Sequence, residues 1–126
     1  MVLDTHVWLW SVVAPDRLSR EARRAIDRAT ELGISTISFW EIAVLERRGK
    51  IRLDRGARSW TRASITADPR MTALPVTPEI ALTAGGLGDV REPGDGIIYA
   101  TAVEHDAALV SRDERLRRLD PARVVW

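Results

Sequence analysis

Four carboxylates stand where an α/β chain concentrates chemistry. Asp4 follows Met1-Val2-Leu3, and Glu41 lies early in an apolar segment. Asp95 comes just after a glycine-rich stretch, and Asp113 just after Ala108–Ser111. Carboxylates gathered at one point repel one another, and their pKa values rise unless a cation neutralises them. An oxygen-only donor set suits a hard ion, Mg²⁺ or Mn²⁺. Such ions activate water and stabilise the charge that builds up in phosphodiester hydrolysis. Each acid also has a structural use to set against this. Helix N-termini attract Asp and Glu by capping and through the dipole. Ser38-Phe39-Trp40-Glu41 spells a capping box that would employ Glu41 with no metal, and Asp95 and Asp113 fit N-caps. Asp4 ends a buried strand and has no cap to satisfy. Spacing alone leaves both uses open.

The elements that must carry these acids alternate between strand and helix. Met1–Asp4 reads as a very short apolar strand, followed by an apolar helix from Thr5 to Val13 that Pro15 closes. Ser19 caps a helix running to about Leu32, with Gly33 ending it. Ile34–Ile37 is a β-branched strand, and Ser38 to Arg48 a helix stopped by Gly49. An Arg-rich stretch then places Trp60 and Ile65 on a helix. Ala73–Thr77 is a strand, and Thr77-Pro78 opens a helix with Pro at its first position. Gly85-Gly86-Leu87-Gly88 breaks that helix into a loop ending at Glu92-Pro93-Gly94. Gly96 to His105 is a buried helix, Ala108–Ser111 a strand, Glu114–Leu119 a short helix and Arg123–Val125 a last strand. Such alternation implies right-handed crossovers: a three-layer α/β/α sandwich with a mostly parallel central sheet, centred on the Met1–Asp4 strand. Ligands of such sheets bind beyond the carboxyl ends of the strands, which is where the four acids fall.

Composition removes several classes. The chain has 126 residues, the size of one domain. It contains no Cys, which excludes a disulfide framework, a thiolate zinc site and a cysteine nucleophile. Its longest apolar run, Val7 to Ala14, is far short of the ~20 residues of a membrane span, and Asp4 sits where a signal peptide would be apolar. The expectation is a soluble, cytoplasmic protein with no membrane partner. Nineteen basic side chains nearly cancel eighteen acidic ones, so any nucleic-acid site must be a local patch. All the bases but Lys50 are Arg, whose planar fork matches phosphate; GC-rich coding is the bland source of the same bias. Arg112, Arg115, Arg117 and Arg118 flank Asp113, and Arg112 and Arg115 are the candidate RNA contacts. Arg47, Arg48, Lys50, Arg52 and Arg55 form a second cluster. Either cluster is also readable as a solvated face.

Five motifs, in order, resemble one family. Val2-Leu3-Asp4-Thr5-His6-Val7 looks like the opening strand of the PIN-domain ribonucleases, and Ser35-Thr36-Ile37-Ser38-Phe39-Trp40-Glu41-Ile42-Ala43 like their second acidic motif. Leu74-Pro75-Val76-Thr77-Pro78-Glu79-Ile80-Ala81 matches their middle strand and helix. Pro93-Gly94-Asp95-Gly96-Ile97-Ile98-Tyr99-Ala100-Thr101-Ala102 and Leu109-Val110-Ser111-Arg112-Asp113-Glu114-Arg115-Leu116 match the third and fourth acidic motifs. The resemblance spans Leu3 to about Leu119 and is greatest to VapC-type toxins of bacterial toxin–antitoxin pairs. It implies one PIN-like domain over residues 1–126. Asp4, Glu41, Asp95 and Asp113 would be the catalytic and metal-binding set, with Thr5 and Ser38 as supporting hydroxyls. The activity implied is a Mg²⁺- or Mn²⁺-dependent endoribonuclease that leaves a 5′-phosphate and a 3′-hydroxyl, with a homodimeric state and a cognate antitoxin as partner.

Two departures qualify the match. Only Met1-Val2-Leu3 precedes Asp4, which points to a start upstream of Met1. Gly96 stands where relatives often carry Arg, a matter of substrate contact rather than catalysis. His6 near the acids and His105 at a helix end read as structural. Trp8, Trp10 and Trp40 read as core residues. Because Trp8 and Trp10 face nearly opposite sides of one helix, one of them is expected on a dimer or antitoxin surface. A P-loop, a receiver domain and a DxD phosphatase each lack a required residue. The rival that survives is a PIN-like module that binds RNA or a partner without catalysis.

Overall fold

The strand β1 (Val2–Leu3) is only two residues long, yet it lies at the centre of the sheet. In the computed structural model, which describes residues 1–88, 90 and 92–126, the strand order is β3-β2-β1-β4-β5 and every pairing is parallel. The partners are β2 (Leu32–Ser35), β3 (Met71–Leu74), β4 (Leu109–Val110) and β5 (Val124–Val125). Val2 pairs with Gly33 on one side and with Leu109 on the other. Successive residues of a strand point to opposite faces, so Leu3, Ile34 and Val110 enter one core while Val2 and Leu109 enter the other. The first core gathers residues of α1 (Thr5–Val13), α2 (Arg20–Arg28), α3 (Thr36–Arg47) and α4 (Ala57–Ala67). The second gathers residues of α6 (Pro93–Glu104) and α7 (Glu114–Leu119), and α5 (Pro78–Gly85) packs on α6. Two cores on two faces of one sheet make the expected three layers. Among the described residues no helix is long and apolar enough to cross a membrane.

Several boundaries differ from the sequence reading, and the causes are local. The helix after Ser19 ends at Arg28, not near Leu32. Arg70 reaches across from the turn before β3 and donates Nη1 to the Ile26 and Ala29 carbonyls, satisfying the helix end. That frees Leu32 and Gly33 for the sheet. Gly33 is therefore a strand residue, and a Cβ there would run into the Leu74 side chain. The helix carrying Glu41 starts at Thr36, with Ser35 as N-cap accepting from the Ile37 N–H at 3.4 Å. Ser38 is thus inside the helix, and the Ser38–Glu41 capping box does not exist. Strand β3 is Met71–Leu74 rather than Ala73–Thr77, because its register aligns Leu32 with Met71 and Ser35 with Leu74. Helix α6 begins at Pro93, three residues before Gly96, with proline at its first position. The expected loop from Gly85 to Glu92 includes positions 89 and 91, which lie outside the described residues.

The tryptophans correct the sequence reading twice. Trp8 and Trp10 are both buried in the first core. Trp8 packs on Phe39 and Trp60 and donates Nε1 to the Ser64 hydroxyl at 2.8 Å. Trp10 packs on Trp126, with the Arg17 guanidinium over its ring. Opposite helix faces find opposite flanks of one layer. Trp40, expected in the core, is 62% exposed.

Candidate active site

All four acids face one another beyond the carboxyl ends of β1, β2 and β4. Asp4 follows β1 directly and does have a cap to satisfy, because its Oδ1 accepts the Thr5 N–H at 2.7 Å as N-cap of α1. Its Oδ2 accepts from the Ser111 hydroxyl at 2.6 Å. Ser111, fully buried at the end of β4, accepts in turn from the Asp113 N–H at 3.1 Å. Neither Ser111 contact was expected. The Ser-x-Asp turn after an apolar strand is the available signal, but the bond to Asp4 spans 107 positions and needs β1 and β4 to be neighbours.

Glu41 lies in the second turn of α3, half-buried. Thr5 Oγ1 stands 3.0 Å from Glu41 Oε1 and 2.8 Å from Ser38 Oγ, with Thr5 and Ser38 both fully enclosed. Of the two hydroxyls expected to support the acids, Thr5 meets Glu41 directly and Ser38 stands behind Thr5. Gly94, in the first turn of α6, closes the other side. A Cβ on it would lie 2.7 to 3.1 Å from the Glu41 carboxylate atoms. Any larger residue there would make the Glu41 carboxylate shift.

Asp113 is the N-cap of α7, as its structural reading expected, and its Oδ1 accepts the Arg115 N–H at 2.7 Å. Asp95 is not an N-cap, since Glu92 holds that position in α6. Arg115 joins the two acids. Its Nη2 donates to Asp113 Oδ2 at 2.9 Å and to Asp95 Oδ2 at 3.2 Å, and its Nε to Asp113 Oδ1 at 3.3 Å. The Asp95 and Asp113 side chains are only 20% and 16% exposed.

The protonation behaviour follows from burial and crowding. Burial pushes Asp4 above its ordinary value, against the lowering effect of Ser111, His6 and the Thr5 N–H. Glu41 is raised by burial, opposed by the Thr5 hydroxyl and reinforced by the charges of Asp4 and Glu92. Asp95 is pushed up to about 7, by burial first and then by Asp4, Asp113 and Glu41. Asp113 behaves oppositely: burial would raise it, but the hydrogen bonds and charge of Arg115 hold it below its ordinary value. Among the described residues, no three His, Asp or Glu side chains stand close enough to grip one ion as placed.

The remaining candidates sit apart from these contacts. Arg112 is exposed, and Arg118 pairs with Glu114 at 3.6 Å. Arg47, Arg48, Lys50, Arg52 and Arg55 are exposed, as a solvated face would be. His6 is exposed and packs on Trp10, and His105 ends α6 in solvent.

Comparison with known proteins agrees with this fold. Residues 1–121 match the PIN domain family model. The chain is 38% identical, over 119 residues, to Ribonuclease VapC22 from Mycobacterium tuberculosis, covering 93% of this chain and 89% of that protein. Its fold resembles the VapBC2 structure from Rickettsia felis bound to a promoter DNA fragment, with a TM-score of 0.69, 14% identity and coverage of 98% and 95% of the two chains. It also resembles a toxin–antitoxin complex from Klebsiella pneumoniae, with a TM-score of 0.67, 22% identity and coverage of 99% and 95%. The chain belongs to the PIN-domain family, in its VapC branch.

Proposed function

We propose that this chain is a divalent-metal-dependent endoribonuclease, the toxin of a toxin–antitoxin pair, acting in the cytoplasm and silenced by a cognate antitoxin. The likeness to a protein named a ribonuclease supports the substrate class. The observation that carries the reading is the excess of negative charge at one point: Asp95 is pushed up to about 7 by burial and by three other carboxylates. A pocket of buried oxygen donors that oppose one another's ionisation fits a hard dication, Mg²⁺ or Mn²⁺. Asp4, Glu41 and Asp95 would hold the ion, with Asp113 acting directly or through water. When bound, the ion supplies positive charge to the reacting phosphodiester and makes water more acidic.

The chain's own groups do the positioning. The Thr5 and Ser38 hydroxyls, both buried, keep Glu41 turned to the pocket, and Ser111 does the same for Asp4. These hydroxyls are enclosed and hydrogen-bonded, so none of the three is available as a nucleophile. Water is left to attack phosphorus. RNA, the antitoxin and a second copy of the chain are the partners of this reading. Trp40, exposed on the rim of an apolar groove of about 540 Å³ between α3 and α4, takes over the partner-surface role expected of the Trp8/Trp10 helix.

Cleavage of RNA by the parent, Asp4→Asn and Asp95→Asn with matched Mn²⁺ tests the assignment. Each variant should lose at least about two orders of magnitude, roughly 2.7 kcal/mol of transition-state stabilisation. Parent-like cleavage by either variant overturns the site. A folded parent that binds RNA yet cleaves none across total RNA would favour the non-catalytic module.

A further inference from the structure

The guanidinium of Arg115 is bonded to oxygens that the proposed metal would need. Its Nη2 is shared between Asp95 Oδ2 and Asp113 Oδ2, and its Nε rests on Asp113 Oδ1. The placement is built into the local fold. Asp113 is the N-cap of α7, and Arg115, at the second helical position, folds back onto it while Asp95 arrives from α6. Charge explains why the contact holds: the guanidinium stands 2.9 Å from the Asp113 carboxylate and 3.2 Å from that of Asp95. Yet its side chain is 39% exposed, and among the described residues its side-chain bonds are to these two acids alone.

We propose that Arg115 is a built-in competitor for the metal, so that cation binding requires its guanidinium to leave Asp95 and Asp113. The inference rests on the metal reading above and adds a direction to it. A dication drawing on the same oxygens would sit beside a fixed positive charge, and the two repel at short range. A long, flexible, partly exposed side chain can withdraw to solvent while the carboxylates cannot. The pocket then has two alternative cations. One is permanently attached and weak, and the other is mobile and strong.

A merely supporting Arg115, one that holds the two acids ready for the ion, predicts the opposite sign. Mn²⁺ affinity measured by calorimetry at fixed pH and salt separates the two. Arg115→Gln should bind Mn²⁺ about tenfold more tightly than the parent, with Arg115→Lys between them because it keeps charge but loses the fork. Arg117→Gln, the same charge change on the same helix but at an exposed side chain with no bond to the acids, should stay within about twofold. Melting without metal should place Arg115→Gln below the parent, with the gap closing or reversing in saturating Mn²⁺. If Arg115→Gln does not fold without metal, the ranking of Arg115→Lys against the parent carries the test. Weaker or unchanged Mn²⁺ binding in both Arg115 variants overturns the competition, as does an equal gain in Arg117→Gln. A parent that binds no Mn²⁺ at all overturns the metal reading and this inference with it.

Discussion

One half of the acidic pocket is held by hydroxyls and the other by a guanidinium. Asp4 and Glu41 lean on Ser111 and Thr5, with Ser38 behind Thr5. Asp95 and Asp113 lean on Arg115. A hydroxyl stabilises a carboxylate by donating one proton but adds no charge, so burial still wins and both Asp4 and Glu41 end above their ordinary values. A guanidinium adds charge, but its fork favours one partner. Asp113 takes two side-chain bonds and falls, while Asp95 takes one bond, at 3.2 Å, and rises to about 7. Neutral support fixes geometry and leaves the charge problem open. Charged support solves it for one acid at a time.

The largest effect expected is at Glu41, in the hydroxyl half. Glu41→Gln keeps the shape and the contact with Thr5 but removes a charge. RNA cleavage should fall by at least about two orders of magnitude. The protein without metal should melt no lower than the parent, because one source of repulsion is gone, and added Mn²⁺ should stabilise it less. Paired melting curves and a cleavage assay check this. Unchanged cleavage with an unchanged metal-induced shift would leave Glu41 with no role in the pocket.

Next comes Gly94, whose hydrogen faces the Glu41 carboxylate. Gly94→Ala places a Cβ where 2.7 Å separates it from Oε1, so the carboxylate must turn away from Thr5. Helix propensity alone favours Ala by about 1 kcal/mol, so the expected signature is split. Thermal stability should hold within about 1 kcal/mol while cleavage drops roughly tenfold or more. A loss confined to stability would mean that the carboxylate does not need its observed place.

How much of this was legible in the sequence depends on distance along the chain. The alternation of strand and helix, the central place of β1 and the α1 and α7 boundaries rest on local patterns, and these agree with the structure. The four acids, Thr5 and Ser38 were named, and the fold brings them to one edge of the sheet, though among the described residues no three acids stand close enough as placed to grip one ion. What the sequence hid was set by partners far away. The α2 end depends on Arg70, over forty residues on. Ser38 spells a capping box only if β2 is read two residues too late, so the rival explanation of Glu41 was an error of register. The bond of Arg115, a candidate phosphate contact, to Asp95 was hidden because that acid comes from a different motif. One of Trp8 and Trp10 was expected on a surface because Trp126, which packs on Trp10, is at the other end of the chain.

The two halves should also differ in pH dependence, and the signs follow from the shifts. A carboxyl raised in the folded state holds its proton more tightly than in the unfolded chain. Its contribution to stability is complete below the ordinary value, 3.8 for Asp95, and is lost as pH rises towards about 7. Asp4 and Glu41 act in the same direction. A lowered carboxyl does the reverse, so Asp113 contributes stability above about pH 4 that is lost as the pH falls. Denaturant melts without metal should therefore show Asp95→Asn more stable than the parent by about 2 kcal/mol at pH 7.5, with the gap vanishing near pH 4. Asp113→Asn should be less stable at pH 7.5. Parallel pH curves for both variants would remove the contrast between the halves.

The smallest effect expected is at Ser111, which among the described residues is the one side chain bonded to both halves. Its hydroxyl donates to Asp4 and accepts from the Asp113 N–H. Ser111→Ala removes both bonds from a fully buried position, and losing such partners costs about 1–2 kcal/mol. The two losses separate by pH. The bond to Asp4 favours its ionised form, so its absence raises the Asp4 carboxyl further and costs most where Asp4 is charged. The bond from the Asp113 N–H is independent of pH. Stability lost in Ser111→Ala should thus shrink on acidification to a constant remainder, measurable by denaturant melts across the pH range. A loss that is the same at every pH would mean that Ser111 serves only the Asp113 turn, and that the Asp4 carboxylate is held by its N-cap bond alone. In that case the two halves share a pocket but no support, and substitutions in one should add simply to substitutions in the other.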